Sequence, residues 1–465
     1  MLVRGDKKKL FFAVLLLCAV FLRIICLLIC DNFHGIAAGK IIEARRLIQH
    51  PELLNSWIVP AHGPVHMYLV ALAIFVSGNA EISARALSLL CGILFLIPYY
   101  GFLRLSFDEE TALICLTIAV FFPMHIVYSV LSTAETMFLL FLFSGIYFFA
   151  KYRNLGQEKD LMSAAFLVGT ASMCRFEGGL YIAVLALFLL RKPRSLLVFL
   201  GLASLLPVLW MWGNFLISGN FMQFLYSSDT IVKTEYSYLR SMGEQFTMGR
   251  KFFYWPLQLY SYFGAPVFIG GITGIVISFR QKKHRYIAGL LLGILGFFIY
   301  KTIKEELAMQ PRYGISLGFL FLPFFAVFFI TMLKRISQGL RRGTVCAFLL
   351  YVLVGGTYVS LLSLPHNPQW VKEAAIFLHR NLQPLDKIYV ETDEQNAKAP
   401  LKNYLNIGFE RFVDDNPFAQ KVELLDPLER VNLRYIVLVS KRELKKLREV
   451  FRYDNCKIYR VENAR

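Results

Sequence analysis

The sequence predicts a polytopic α-helical membrane protein with about 11 transmembrane helices, interfacial helices in its first outer loop and a small C-terminal α/β domain. Of the 465 residues, 56% are hydrophobic and only 18% are charged, and the mean hydropathy is +0.52, which is too apolar for a soluble globular protein. The apolar residues form long runs that short basic clusters separate. From residue 366 onward the composition becomes that of a soluble domain.

Composition also narrows the function classes. The net charge of +18 arises from basic clusters between apolar runs, so it indicates membrane topology and no nucleic-acid partner. The eight cysteines lie mostly within or at the ends of apolar runs and include no CxxC pair. We therefore predict neither a disulfide framework nor a metal cluster.

The N-terminus begins with a basic segment, Arg4 and Lys7 to Lys9, followed by an apolar run over residues 10–30. No small-residue cleavage site follows, so this run is predicted to be a transmembrane helix and not a removed signal peptide. The positive-inside rule places the N-terminus in the cytoplasm. Asp31 then opens the first loop on the extracytoplasmic side.

Ten further apolar runs bring the predicted number of transmembrane helices to eleven. They cover residues 83–103, 111–131, 135–150, 161–174, 178–190, 195–217, 256–279, 286–300, 313–333 and 343–364. One more stretch, Pro64–Val76, would be only about 20 Å long as a helix, which is too short for a hydrocarbon core of about 30 Å.

Charge decides whether Pro64–Val76 crosses the membrane. If it stays on the outer side as an interfacial or re-entrant segment, every basic cluster between the later helices falls in the cytoplasm. These clusters are Arg104; Lys151, Arg153 and Lys159; Arg191, Lys192 and Arg194; Arg280, Lys282, Lys283 and Arg285; and Lys334, Arg335, Arg341 and Arg342. We therefore expect a multi-pass cell-membrane protein whose C-terminal domain is extracytoplasmic.

Two outer segments have recognisable patterns. Residues 36–50 read as an amphipathic helix lying on the bilayer surface. Residues 366–465 have nearly balanced charge, with 18 Lys and Arg against 15 Asp and Glu, and predict a small α/β domain beside the 1–365 membrane domain. Its candidate helices are Gln369–Asn381 and Lys441–Phe451, and its candidate strands are Lys387–Val390, Tyr435–Val439 and Lys457–Val461.

Charged residues gather where the helices meet the outer membrane boundary, and such residues are costly to keep unless they function. They are Asp31, Glu135, Arg175, Glu177, Lys301, Lys304, Glu305, Glu306 and Arg312. A carboxylate such as Asp31 could take a proton from an attacking hydroxyl, while Arg175 or Arg312 could hold the charge on a departing phosphate. A sugar carried on a polyprenyl phosphate suits this arrangement, because the lipid tail stays in the bilayer.

Structural interpretations of the same residues remain open. Asp31 could cap the following surface helix, and Glu135 could cap its own helix. Arg175 and Glu177 could form a purely structural pair. Arg312 could be an interface anchor beside Tyr313.

The histidines and aromatic residues of the outer side also have two readings. His62 and His66 are four residues apart, but Gly63 and Pro64 intervene and no acidic partner is near, so packing is favoured over metal binding. The aromatic residues of the 221–255 loop suit an interfacial belt as well as a sugar-binding platform.

The order of motifs resembles the GT-C glycosyltransferases, specifically the protein O-mannosyltransferase and lipid A aminoarabinose transferase branches. The resemblance covers roughly residues 10–335. It rests on an Asp after the first helix, a surface helix and four segments. These segments are HGPVHMYLVALAIFVSGNAEISARALSLL, LSTAETMFLLF, CRFEG and PRYGISLGFLFLP.

The resemblance implies an inverting glycosyltransferase of the cell envelope that transfers sugar from a polyprenyl-phosphate donor on the extracytoplasmic face. Asp31 would be the catalytic base, and Glu135, at the second acidic position, would be the other catalytic residue. Arg175 and Arg312, supported by Lys301 and Lys304, would bind the donor phosphate. Glu177, His62 and Tyr313 are further candidate substrate contacts.

The sequence departs from the family pattern at the acidic positions. The first loop reads Asp31-Asn32 where many relatives have two acidic residues, and the second loop has one acid instead of a DxD-like pair. We therefore expect no metal cofactor. The acceptor is left open as a lipid, a glycan or a protein.

Two other classes compete with the enzyme. A multi-pass transporter also suits eleven or twelve spans, but the chain has no matching half-repeat, and its charges gather at the outer boundary, away from mid-helix. A non-catalytic envelope assembly protein could use the same scaffold.

Overall fold

The computed structural model describes most of the chain. The described residues are 5–30, 35–49, 63–241, 243–365, 369–384, 386–392, 401, 405, 412, 433–439, 443–444 and 447–461. Asp31 and His62 lie outside them.

Helices dominate the first 365 residues. The first seven are α1 Gly5–Ile29, α2 Gly35–Gln49, α3 Pro64–Ser77, α4 Ala80–Leu94, α5 Leu96–Ser106, α6 Glu109–Val120 and α7 Pro123–Val130. The next seven are α8 Glu135–Leu155, α9 Glu158–Ser172, α10 Glu177–Leu187, α11 Pro193–Ser218, α12 Gln223–Ser241, α13 Met248–Phe279 and α14 Arg285–Ile303. A 3-10 turn, Pro311–Gly314, leads into α15 Ile315–Leu333, and α16 Gln338–Leu350 continues through a π segment, Tyr351–Gly355, into α17 Gly356–Leu362.

The chain is a multi-pass membrane protein, and the predicted fold class is confirmed. Within the described ranges, eight helical stretches are long and apolar enough to cross a bilayer, and the pair α6 and α7, bent by 56°, makes a ninth. The two remaining predicted spans are the short helices α9 and α10, of 15 and 11 residues. All eleven predicted runs therefore lie on helices.

The hairpin of α9 and α10 packs beside α8 although its helices are short. α9 begins three residues after α8 ends. The turn between α9 and α10 contacts the start of α8 through the ion pair of Arg175 with Glu135. The hairpin therefore brings this turn close to the N-terminus of α8.

α15 is the most deeply buried membrane helix and packs against α13. The sequence permits this because α13 has glycines where the phenylalanines of α15 approach. A Cβ atom on Gly274 would lie 1.8 Å from the carbonyl oxygen of Phe324, and one on Gly271 would lie 2.1 Å from the ring of Phe321. Any larger residue at Gly274 would therefore push the two helices apart.

The first outer loop contains the helix predicted over 36–50, which is present as α2. The side chains of Ile41, Ala44 and Leu47 pack against α3 and α4, in a cluster with Met67, Val70, Ala71, Ile74 and Ala84. α3 is apolar but, at 14 residues, shorter than the helices that are long enough to cross a bilayer. The place of α2 on the bilayer surface stays a prediction.

The C-terminal part has a core of its own. Helix α18, Gln369–Asn381, matches the prediction and packs with a four-stranded sheet of order β1-β2-β4-β3. The strands are β1 Lys387–Thr392, β2 Leu433–Val439, β3 Arg448–Tyr453 and β4 Cys456–Arg460. β1 and β2 are parallel, and the other pairs are antiparallel. The domain boundary at 365/366 stays a prediction.

One helix predicted in this part is wrong. Residues 441–451 were expected to be helical, whereas Arg448–Tyr453 form β3, paired with β4 through a tight turn in which Asp454 has φ of 50°. The charged, leucine-rich sequence favours a helix locally, but pairing with the buried strand β4 outweighs that preference. Sequence periodicity could not reveal the partner strand.

Candidate active site

Three helix junctions meet at one membrane face and enclose a cavity of about 480 Å³. The turn between α7 and α8 contributes Thr133, Ala134 and Glu135; the turn between α9 and α10 contributes Cys174 to Glu177; and the segment before α15 contributes Arg312 and Tyr313. Two of these junctions are short, residues 131–134 and 173–176, and the third is the longer connection 304–314 between α14 and α15. The polar residues that the three junctions contribute therefore lie at helix ends or between helices.

A buried carboxylate forms the centre of the polar wall. Glu135 is only 1% exposed, and its Oε1 accepts from Nη1 of Arg175 and lies 3.6 Å from Nη1 of Arg312. Glu135 is also the first residue of α8, where the helix N-terminus favours a negative charge. One carboxylate thus gathers two guanidinium groups from junctions that are far apart in sequence.

Arg175 is held on several sides. Its Nη2 donates to Oε1 of Glu177 at 2.7 Å, and its guanidinium carbon lies 4.7 Å from the ring centre of Tyr313. Burial would lower the pKa of the Arg175 guanidinium, but Glu177 and Glu135 together raise it, so the side chain stays charged. Arg175 and Glu177 do form the pair considered as a structural alternative, and the same pair faces the cavity.

Arg312 is oriented by a chain of polar contacts. Its Nε donates to Oε1 of Gln310 at 2.7 Å, and Nε2 of Gln310 donates to both carboxylate oxygens of Glu235 in α12, at 2.7 and 2.8 Å. The guanidinium carbon of Arg312 lies 5.2 Å from the ring centre of Tyr313. This network fixes Arg312 while its Nη1 remains near Glu135.

The two lysines predicted for this site have different positions. Lys301 lines the cavity and forms an ion pair with Glu306, another lining residue. Lys304 is exposed and does not line the cavity. Of the predicted site residues within the described ranges, the cavity brings together Glu135, Arg175, Glu177, Lys301, Arg312 and Tyr313.

Sequence reasoning missed two lining residues, Lys40 and His66. Lys40 lies on α2 and pairs with Glu43 at 3.2 Å. The sequence places Lys40 on the polar face of an amphipathic helix, and no local pattern distinguishes it from the other polar residues of that face. Its place at the cavity follows from the packing of α2 on α3 and α4.

His66 on α3 is 2% exposed, and neither of its ring nitrogens has a hydrogen-bond partner among the described residues. Burial first, and then the positive charge of Lys40, lower its pKa to about 3, so the imidazole is neutral at physiological pH. The pair of histidines in HGPVH is the sequence signal for this position, but the pattern points only to packing or metal binding and not to a cavity. Within the described residues, no three His, Cys, Asp or Glu side chains are grouped to hold a metal ion.

The cavity lining also contains apolar side chains. α10 contributes Leu180 and Ala183, α14 contributes Phe297 and Phe298, and α12 contributes Leu225 and Val232. The lining therefore combines cationic and apolar side chains. An amphiphilic molecule with an anionic head fits this combination better than a small polar solute does.

Comparison with known proteins supports the same fold. A family model described as dolichyl-phosphate-mannose-protein mannosyltransferase matches residues 61–212, about a third of the chain. A search of curated proteins found no match.

Solved structures match almost the whole chain. ArnT from Cupriavidus metallidurans bound to undecaprenyl phosphate is 14% identical, with a TM-score of 0.71 over 99% of both chains. The same protein in its apo state has a TM-score of 0.67 over 97% of both chains.

The oligosaccharyltransferase AglB from Archaeoglobus fulgidus, in complex with an inhibitory peptide and a dolichol-phosphate, is also 14% identical. Its TM-score is 0.58, and the match covers 92% of this chain and 69% of AglB. The predicted resemblance is confirmed: the chain has the fold of the GT-C glycosyltransferases.

Glu135→Gln should destabilise the protein strongly, because it leaves the two guanidinium groups of Arg175 and Arg312 without their shared charge. Breaking a buried ion pair typically costs about 3–5 kcal/mol. Glu306→Gln is the matched control, since it removes an ion pair with Lys301 whose members are 34% and 43% exposed, worth about 1 kcal/mol or less. Thermal unfolding in detergent measures both. Equal shifts for the two variants would contradict a central role for Glu135.

Proposed function

We propose that the protein is a membrane glycosyltransferase that transfers a sugar from a polyprenyl-phosphate donor to an acceptor hydroxyl on the extracytoplasmic face. One observation carries the proposal: the cavity lining combines clustered cations with apolar side chains. Arg175, Lys301 and Arg312 are the cations, while α10, α12 and α14 supply apolar residues. A phosphate head and a prenyl tail on one molecule require both.

The proposed reaction assigns proton transfer to Asp31, as the family resemblance implies, and phosphate binding to the arginines of the cavity. The acceptor hydroxyl oxygen attacks the anomeric carbon while the Asp31 carboxylate takes the hydroxyl proton. The bond between the anomeric carbon and the phosphate oxygen breaks, and its electron pair leaves with the lipid phosphate. Attack opposite the leaving group inverts the anomeric centre. Arg175 and Arg312 stabilise the charge that grows on the departing phosphate.

Glu135 has a supporting part in this proposal. Its Oε1 is already engaged by Arg175 and lies beside Arg312, so that oxygen is not free to act on an acceptor. Glu135 instead holds the two arginines together in the absence of substrate. When a phosphate enters, the same guanidinium groups have further donors to offer, because each carries five N–H groups.

Arg312→Gln should weaken binding of undecaprenyl phosphate at least about tenfold, because a charge-assisted hydrogen bond to phosphate contributes about 1.5–3 kcal/mol. Titration of the purified protein with undecaprenyl phosphate, followed by native mass spectrometry, gives the Kd. Lys233→Gln is the control, since Lys233 is exposed on α12 and pairs only with Asp229 among the described residues. Unchanged affinity in Arg312→Gln would reject the phosphate role.

Asp31→Asn should abolish sugar transfer while leaving the Kd for undecaprenyl phosphate and the yield of folded protein unchanged, because only the proton acceptor is lost. Single-turnover assays with a panel of polyprenyl-phosphate sugars measure transfer. Asp229→Asn, which removes an exposed outer carboxylate, should behave like the wild type. Near-normal turnover in Asp31→Asn would reject its assignment as the base.

The orientation belongs to the same proposal, with the cavity and the C-terminal domain outside and the N-terminus in the cytoplasm. A membrane-impermeant maleimide should label Lys233→Cys in intact cells, and Lys282→Cys only after permeabilisation. Both residues are exposed, so labelling reports the membrane side and not burial. Labelling of Lys282→Cys in intact cells would reverse the topology and exclude an extracytoplasmic reaction.

A further inference from the structure

Arg85 on α4 binds the ends of two other membrane helices at once. Its Nη2 donates to the carbonyl oxygens of Leu27 at 2.9 Å and Cys30 at 2.7 Å, at the end of α1. Its Nε donates to the carbonyl oxygen of Val130, the last residue of α7, at 2.9 Å. The side chain is buried and does not line the cavity.

Both helix ends lead directly to an acidic residue of the proposed reaction. Cys30 is followed in the chain by Asp31, and Val130 is followed by the turn 131–134 and then by Glu135. Two further hydrogen bonds join α4 to this turn and to the first turn of α8. Ser88 Oγ donates to the carbonyl of Thr133 at 3.5 Å, and Thr136 Oγ1 donates to the carbonyl of Ser88 at 3.1 Å.

An arginine suits this task for a physical reason. The last carbonyl groups of a helix have no partner within the helix and carry partial negative charge. A guanidinium is planar, always charged and able to donate in several fixed directions, so one side chain can satisfy carbonyls from two helices. A lysine ammonium could reach one helix end but could not hold both in the same geometry.

Close packing makes the connection rigid. A Cβ atom on Gly92 of α4 would lie 2.2 Å from Oγ of Ser129 on α7, so the backbone of α4 lies directly against this side chain about two turns along α4 from Arg85. A displacement of α7 relative to α4 is therefore restricted at this point. The ends of α1 and α7 share one fixed support.

We propose that Arg85 is a positioning residue that fixes the end of α1, from which the chain continues to Asp31, relative to the end of α7, from which it continues to Glu135. The inference rests on the proposed function, because it assigns Arg85 to the placement of the base relative to the leaving phosphate. Arg85 touches no substrate in this scheme. Its effect passes through the backbone at Cys30 and Val130.

The test compares Arg85→Gln and Arg85→Lys with Arg341→Lys in the full-length protein. Arg341 is the matched control because its Nε also donates to the last carbonyl of a membrane helix, Leu333 of α15, at 2.8 Å. α15 begins at the cavity, so its other end lies about 28 Å away along the helix. For each variant, kcat and KM for the lipid-linked donor and the Kd for undecaprenyl phosphate are measured per folded molecule.

Arg85→Gln should lower kcat about 100-fold with the Kd for undecaprenyl phosphate unchanged, since a misplacement of about 1 Å has that effect on rate. Arg85→Lys should recover part of kcat. Arg341→Lys should match the wild type in kcat. If Arg85→Gln loses only folded protein, while kcat per folded molecule stays at the wild-type value, the inference is overturned.

Hydrogen exchange separates this inference from the proposed function. Arg85→Gln should increase exchange together at the end of α1 and in the turn 131–134, and leave the turn of Arg175 protected. Unchanged exchange at either of the first two segments would overturn the inference even if activity fell. A wild-type protein that transfers no sugar from any lipid donor would overturn the proposed function, and exchange would still decide whether Arg85 couples the two segments.

Discussion

The carboxylate of Glu135, shared by two arginines, is the interaction on which the polar half of the structure depends. A charge with 1% exposure is tolerated inside a membrane protein only when opposite charges compensate for its lost hydration. Arg175 and Arg312 supply that compensation from two other helix junctions. The need for charge compensation brings the three junctions together. It also keeps two cations beside a cavity of a kind that suits an anionic ligand.

The surrounding membrane helices make this arrangement possible by leaving only short connections between them. α8, the α9–α10 hairpin and α15 each present one end to the cavity, and their buried flanks fix the relative heights of those ends. Gln310 and Glu235 then orient Arg312, while Tyr313 contacts both guanidinium groups. α10, together with α12 and α14, also supplies apolar lining residues. The polar and the apolar residues of the proposed lipid site therefore come from neighbouring helices.

The sequence was informative where the governing forces are local. Apolar runs predicted the membrane helices because each must bury its own backbone polar groups, and charges at the ends of those runs predicted most of the cavity's polar residues. Lys40 and His66 escaped because α2 and α3 form an amphipathic pair whose packing depends on residues distant in sequence. β3 was mistaken for a helix for a similar reason, since its partner strand decides its conformation. Arg85 could not be predicted because the sequence does not show which backbone carbonyls, among them those of Leu27, Cys30 and Val130, its side chain reaches.

The shortness of α10 has a consequence for the lipid that surrounds the protein. Eleven residues extend only about 16 Å, roughly half of a hydrocarbon core, and Arg191, Lys192 and Arg194 follow closely. Hydrophobic mismatch of this kind is relieved when the bilayer thins or when flanking basic side chains snorkel to the interface. The leaflet beside α10 should therefore be locally compressed. A thinner leaflet there would shorten the path along which the lipid tail of the proposed donor enters from the surrounding bilayer.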